Sequence, residues 1–216
     1  MTAIDGPRLL PGDGDVKKLV ILCHGYGSNG RDLIALGEVW QRFMPHTAFL
    51  SPNAPYACEM APGGYQWFPL NTFSQDERLS GVESAAPILD RFIDEELSRF
   101  HLSAEDLALV GFSQGTMMSL YVGLRRAPQM AGILAYSGML VGTDDLVEDI
   151  RATPPVLLVH GSADDLIPPR ASRDAAEMLG TLGVPAQYYI CNGIGHGVSP
   201  EGMELGGEFL RRVLHP

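Results

Sequence analysis

The sequence predicts an α/β protein with a mostly parallel central sheet and helices on both faces. Three observations carry that expectation. From Lys17 onward, short apolar runs alternate with segments of helical period, as strands joined by crossover helices do. Runs such as Leu107-Ala108-Leu109-Val110 are apolar at every position, which suits strands buried on both faces. Between Val82 and Phe100, Ile88, Leu89, Phe92, Ile93, Leu97 and Phe100 form one helical face, and Asp90, Arg91, Asp94, Glu95 and Arg99 form the other. The apolar face must therefore pack on a sheet.

Taken in order, Leu19 to Cys23 is the first clear strand, followed by a helix over Asp32 to Phe43 and a strand over Ala48 to Ser51. The amphipathic helix Val82 to Phe100 leads to the strand Leu107 to Val110. Met117, Met118, Leu120, Tyr121 and Leu124 then mark a helix over Gln114 to Ala127, stopped by Pro128. Strands at Gly132 to Tyr136, Val156 to Val159 and Gln187 to Ile190 follow, with helices over Ala171 to Leu182 and Glu201 to Leu214. A chain of 216 residues, 45% hydrophobic, can build one substantial core and is small for two. No repeat or linker divides it, so residues 1–216 are expected to form a single domain.

One segment breaks the rhythm. Pro52 to about Leu79 carries Pro52, Pro55, Pro62, Gly63, Gly64 and Pro69, yet also Tyr56, Tyr65, Trp67, Phe68 and Phe73. So many aromatics argue for an ordered flap over roughly 52–79. It either walls an apolar pocket or plugs one end of the sheet.

A formal charge of −11 without a basic cluster opposes nucleic acid and anionic membrane surfaces, and favours a neutral or cationic small-molecule substrate. Met1 to Asp15 has no signal-like apolar core, and no later stretch approaches the ~20 apolar residues of a membrane span. A cytoplasmic protein without stable membrane insertion is expected. Cys23, Cys58 and Cys191 lack metal-type spacing, so neither a metal nor another cofactor is expected.

Gly111-Phe112-Ser113-Gln114-Gly115 lies between the apolar run and the helix that follows it. Gly-x-Ser-x-Gly there fits a sharp strand-to-helix turn that exposes a nucleophilic serine, with the positive end of the helix beside it. A serine hydroxyl needs a base, and the base needs an acid to fix its tautomer. After Ser113 the histidines are His160, His196 and the penultimate His215. His196, in the glycine-rich turn Gly193-Ile194-Gly195-His196-Gly197, is the expected base. His160 ends a strand and is expected to make a structural hydrogen bond. Asp164, in the loop after His160, is the expected acid; Asp165 is its rival, and Asp144 and Asp145 are a second alternative. An oxyanion would need two backbone donors: Gln114, after the serine, and Tyr26, in Cys23-His24-Gly25-Tyr26-Gly27-Ser28. That loop is otherwise an ordinary glycine-rich turn or a phosphate cradle, but it lacks the P-loop ending and the dinucleotide spacing. His24 is expected to order the loop.

With these residues the chain resembles the phospholipase/carboxylesterase family of α/β hydrolases, which includes acyl-protein thioesterases and bacterial carboxylesterases. The carriers are Leu22-Cys23-His24-Gly25-Tyr26-Gly27, Ser51-Pro52-Asn53-Ala54-Pro55, Gly111 to Gly115, Ser137-Gly138, His160-Gly161-Ser162-Ala163-Asp164 and Gly195-His196. The resemblance implies an α/β-hydrolase fold, Ser113 as nucleophile, Asp164 as acid, His196 as base, and Tyr26 and Gln114 as oxyanion donors. Trp67, Phe68 and Met139 are the candidate pocket residues. The expected activity is a serine carboxylesterase acting on short-to-medium acyl esters through an acyl-enzyme. Its alternatives are an acyl-protein thioesterase or lysophospholipase acting on longer chains, and an inactive hydrolase-like binding protein. Homodimers are common in such a family, though no periodicity here marks an interface.

Overall fold

Leu19, Ile21 and Cys23 enter one apolar layer while Val20 and Leu22, between them, enter the other. That alternation follows from the two-residue period of a strand and divides the core across a central sheet. The computed structural model describes residues 3–12 and 14–215. Its elements run β1 (Arg8–Leu9), β2 (Lys18–Cys23), α1 (Gly30–Trp40), β3 (Thr47–Leu50), β4 (Tyr56–Ala57), β5 (Tyr65–Gln66), α2 (Gln75–Phe100) and β6 (Leu107–Phe112). They continue with α3 (Gln114–Arg125), β7 (Gly132–Tyr136), α4 (Leu146–Asp149), β8 (Val156–Gly161), α5 (Arg170–Thr181), β9 (Ala186–Cys191) and α6 (Pro200–Leu214).

Seven strands form one sheet in the order β1-β3-β2-β6-β7-β8-β9, and only β1 runs antiparallel to its neighbour. The chain is an α/β-hydrolase fold. Apolar residues of α2, α3 and α5, such as Leu89, Met118 and Leu179, cover one face. Trp40 of α1 and Phe209, Leu210 and Leu214 of α6 cover the other. Each such side chain contributes about 1.5–3 kcal/mol on burial. The chain moves outward from β2 to β3, then crosses back to β6 on the other side of β2. Ligands of open α/β sheets bind at such a reversal, beyond the carboxyl ends of the strands.

The elements missed by the sequence reading are the short ones. β1, β4 and β5 hold two residues each and leave no readable period, and α4 is one turn. The helix expected to open at Val82 begins seven residues earlier. Ser74 caps it, its Oγ accepting from Glu77 N–H, and the first turn is mostly polar, so no apolar stripe announces it. The expected flap is therefore shorter than 52–79: β4 and β5 pair as an antiparallel hairpin, and α2 takes its end. Among the described residues no helix is long and apolar enough to cross a membrane.

Candidate active site

At the carboxyl end of β6 the backbone of Ser113 takes φ 54° and ψ −115°, a conformation that L-residues rarely adopt. Such strain costs on the order of 1–3 kcal/mol and persists only where surrounding contacts enforce it. Ser113 N–H donates to Tyr136 O at 2.9 Å, and Thr116 Oγ1 donates to the same oxygen at 2.7 Å. The flanking glycines are steric necessities. A Cβ on Gly111 would lie 2.5 Å from Gly115 O, and one on Gly115 would lie 1.8 Å from Cys23 O. β6, α3 and β2 thus meet at the turn too closely for any side chain.

His196 spans the gap from this serine to the acid. Its Nε2 lies 3.0 Å from Ser113 Oγ, and its Nδ1 lies 2.7 Å from Asp164 Oδ2. A carboxylate accepts only, so Nδ1 carries the proton and Nε2 is free to accept the serine hydroxyl. The Phe112 ring packs 5.0 Å from the imidazole. Two backbone bonds stitch the acid and base loops together, Ser162 N–H to Cys191 O and Ala163 N–H to Ile194 O, at 2.9 and 2.8 Å, and Gly193 N–H donates to Ser162 Oγ at 2.8 Å.

The Asp164 carboxylate is wholly buried. Burial pushes its pKa up, but N–H donation from Ile167, His196 and Leu166 outweighs it and holds the group below the ordinary value. Asp164 is therefore ionised beside His196. The rivals Asp165, Asp144 and Asp145 are exposed, and none of them bonds His196. His215 lies beyond the end of α6, away from Ser113.

The backbone N–H groups of Tyr26 and Gln114 have no protein acceptor among the described residues. Gln114 opens α3, whose positive end adds to the attraction for an anion. The loop after β2 lies against the turn, for a Cβ on Gly25 would come within 3.2 Å of Ser113 Cβ. Gly27 N–H donates to Tyr65 O, and Tyr65 N–H returns to Ser28 O. The buried His24 orders the loop as expected. Its Nε2 accepts from Ala54 N–H at 2.9 Å, so Nδ1 carries the proton and donates to Gly25 O at 2.8 Å. Burial lowers its pKa and keeps it neutral.

The structure places two pocket candidates differently from the sequence reading. Trp67 and Phe68 have no exposed surface and belong to the core. Trp67 Nε1 donates to His24 O, and Phe68 packs on α2 where Gly81 lacks a side chain. They plug the end of the sheet, since an aromatic pair there fills space that short loops leave open. Met139 remains half-buried. Five surface cavities of about 320 to 1020 Å³ lie away from Ser113, Asp164 and His196; that of about 1020 Å³ is at the amino ends of the strands, around Lys18, Pro155 and Phe209.

The side-chain ties of Gln114 and Ser172 escaped sequence reasoning, as did the approach of His160, expected only to make a structural hydrogen bond, to Asp164. The buried Gln114 side chain holds the hairpin, accepting from Trp67 N–H and donating to Phe68 O. His160 Nε2 lies 3.1 Å from Asp164 Oδ2, and Ser172 of α5 lies 2.7 Å from His160 Nδ1. Only the four-residue spacing of His160 and Asp164 hinted at the second contact.

The sequence profile described as phospholipase/carboxylesterase matches residues 5–214. Acyl-protein thioesterase 1 homolog 1 of Dictyostelium discoideum is 28% identical over 203 residues, covering 90% of each chain. Acyl-protein thioesterase 1 of Gibberella zeae is 28% identical over 227 residues, 97% of this chain and 96% of that protein. The crystal structure of esterase PE8 superposes with a TM-score of 0.95 at 44% identity, spanning 98% of this chain and 100% of that one.

Proposed function

The chain belongs to the phospholipase/carboxylesterase family, hydrolases of ester and thioester bonds, and from that membership we propose a serine carboxylesterase for short-to-medium acyl esters. The observation that carries the proposal is the placing of His196 between Ser113 Oγ and Asp164 Oδ2.

In this reading Ser113 Oγ attacks the acyl carbon as its proton passes to His196 Nε2. Asp164 stabilises the imidazolium without taking the proton. The oxyanion of the tetrahedral intermediate accepts from Tyr26 N–H and Gln114 N–H, which are fixed before substrate arrives and reorganise little. Collapse expels the alcohol or thiol, which leaves with the proton from His196. A water, deprotonated by His196, then attacks the ester carbonyl of acyl-Ser113. The carboxylic acid departs, and Ser113 regains its proton.

The full burial of Trp67 and Phe68 supports a short acyl group, because neither ring offers a slot for a long chain. Thioester cleavage is the second reading, and the acyl-protein thioesterases among the relatives favour it. A cytoplasmic setting fits three unpaired cysteines. The test is Ser113→Ala with p-nitrophenyl acetate and butyrate, in parallel with laurate and a palmitoyl thioester. Activity within tenfold of wild type in Ser113→Ala rejects the nucleophile, and a kcat/KM that rises through laurate to the palmitoyl thioester rejects the short-chain assignment.

A further inference from the structure

We propose that His160 is a positioning residue for the acid: its Nε2–H, shared between Ile167 O and Asp164 Oδ2, steadies the oxygen that His196 also uses and limits how strongly Asp164 draws the proton of His196. This rests on the roles given above to Ser113, Asp164 and His196.

The geometry assigns the protons. His160 Nε2 faces two acceptors, Ile167 O at 2.9 Å and Asp164 Oδ2 at 3.1 Å, so this nitrogen carries hydrogen. Nδ1 is then the acceptor, and the Ser172 hydroxyl donates to it at 2.7 Å. Both side chains are buried, which fixes the neutral tautomer. Burial lowers the His160 pKa against the pull of Asp164, consistent with a neutral ring. The titratable groups facing it are Asp164, from its own loop, and His196, from the loop after β9; α5 presents the Ser172 hydroxyl.

Asp164 is held by three N–H donors, Leu166 and Ile167 on Oδ1 and His196 on Oδ2, and His160 Nε2 lies 3.1 Å from the same Oδ2. The backbone pair anchors Oδ1 and His196 holds Oδ2, and His160 adds a second contact at that oxygen. It also withdraws charge from the oxygen that His196 uses, so the imidazolium formed during turnover is less stabilised.

The test compares His160→Met, which keeps volume without a donor, with His160→Gln, whose amide nitrogen can replace Nε2–H. Rates are normalised to sites titrated with a fluorophosphonate, so a failed serine assignment appears as absent labelling of wild type, independently of His160. With p-nitrophenyl butyrate, His160→Met is expected to lose about tenfold in kcat with little change in KM. The acidic limb of kcat/KM should move up by about half a pH unit, because an undivided Asp164 raises the proton affinity of His196. His160→Gln should recover at least about a third of wild-type kcat and the wild-type limb. A purely structural histidine would alter stability and leave the normalised limb in place. A wild-type limb and kcat in His160→Met, or equal impairment in His160→Gln, overturns the proposal. Nitrogen-15 spectra of the wild-type imidazoles keep the test decisive if His160→Met does not fold. They must show His160 neutral and protonated at Nε2 at pH 7; an Nδ1–H tautomer or a cation there overturns it as well.

Discussion

Gln114 Oε1 accepts the backbone N–H of Trp67 at 2.9 Å, so the residue after the candidate nucleophile also fastens the aromatic hairpin. Its Nε2 completes the tie by donating to Phe68 O at 2.8 Å. Trp67 in turn donates to His24 O, at the head of the loop that presents Tyr26. Gln114→Leu would leave Trp67 N–H and Phe68 O buried without partners, costing roughly 2–5 kcal/mol. Urea unfolding should show that loss. Activity should fall about tenfold or more in the folded fraction if the tie keeps the two candidate oxyanion donors aligned. Wild-type stability would show that the hairpin holds itself.

The glycines at the turn and a glycine in α5 should respond in opposite directions to the same substitution. Gly115→Ala drives a methyl to 1.8 Å from Cys23 O, a backbone atom that cannot yield without moving β2. It should cost more than about 4 kcal/mol and leave little folded protein. Gly180, on the exposed face of α5, has nothing within 4 Å of the methyl that alanine would add. Gly180→Ala should stabilise by up to about 1 kcal/mol through helix propensity. Thermal melts of the two variants decide both points.

Stability should decline as pH falls below about 6.5. His24 and His160 are buried neutral, their pKa values lowered from 6.5 by loss of hydration. Below pH 6.5 the unfolded chain binds protons that the folded chain refuses, so stability falls with pH until the folded values are reached. Each histidine contributes about 1.4 kcal/mol per unit of separation between its two pKa values. Asp164 and Asp106 have lowered pKa values, so their contribution is present above 3.8 and lost only at lower pH. Urea midpoints between pH 7 and 5 therefore read the histidines, against an opposing relief of repulsion as the −11 charge shrinks. The slope should shrink in His160→Gln. A slope unchanged by that substitution contradicts the buried neutral ring.

Asp164→Asn tests the tautomer. An amide nitrogen facing His196 Nδ1 would turn that atom into an acceptor and put the proton on Nε2, where Ser113 needs a base. kcat for p-nitrophenyl butyrate should drop on the order of 10³–10⁴-fold, with the fold intact by circular dichroism. A drop of less than tenfold would shift the acid's role to another carboxylate.

Long strands and long helices were legible because each repeats its period several times. β2, β6 and β8 show as continuous apolar runs because both faces are covered, and α6 shows as a stripe. The order Ser113, Asp164, His196 was readable because loops at the carboxyl ends of parallel strands must converge on one rim. What remained hidden depends on contacts distant in sequence. Gln114 looks like any helix N-terminal residue until the hairpin from 46 residues earlier lies across it. Ser172 is an unremarked helix serine until α5 packs on β8 and brings it to His160. The aromatics of the hairpin suggested a pocket because burial in a core and burial under a ligand call for the same residues. Only their hydrogen bonds to His24 and Gln114 separate the two.

Reaction with a fluorophosphonate, followed by peptide mass spectrometry, tests the central claim most directly, because only an activated serine attacks phosphorus readily. One adduct per chain, on Ser113, slowed on the order of 10²-fold or more in His196→Asn, is the expected result. Absence of an adduct, or an adduct on another residue while Ser113 stays free, would contradict Ser113 as the nucleophile.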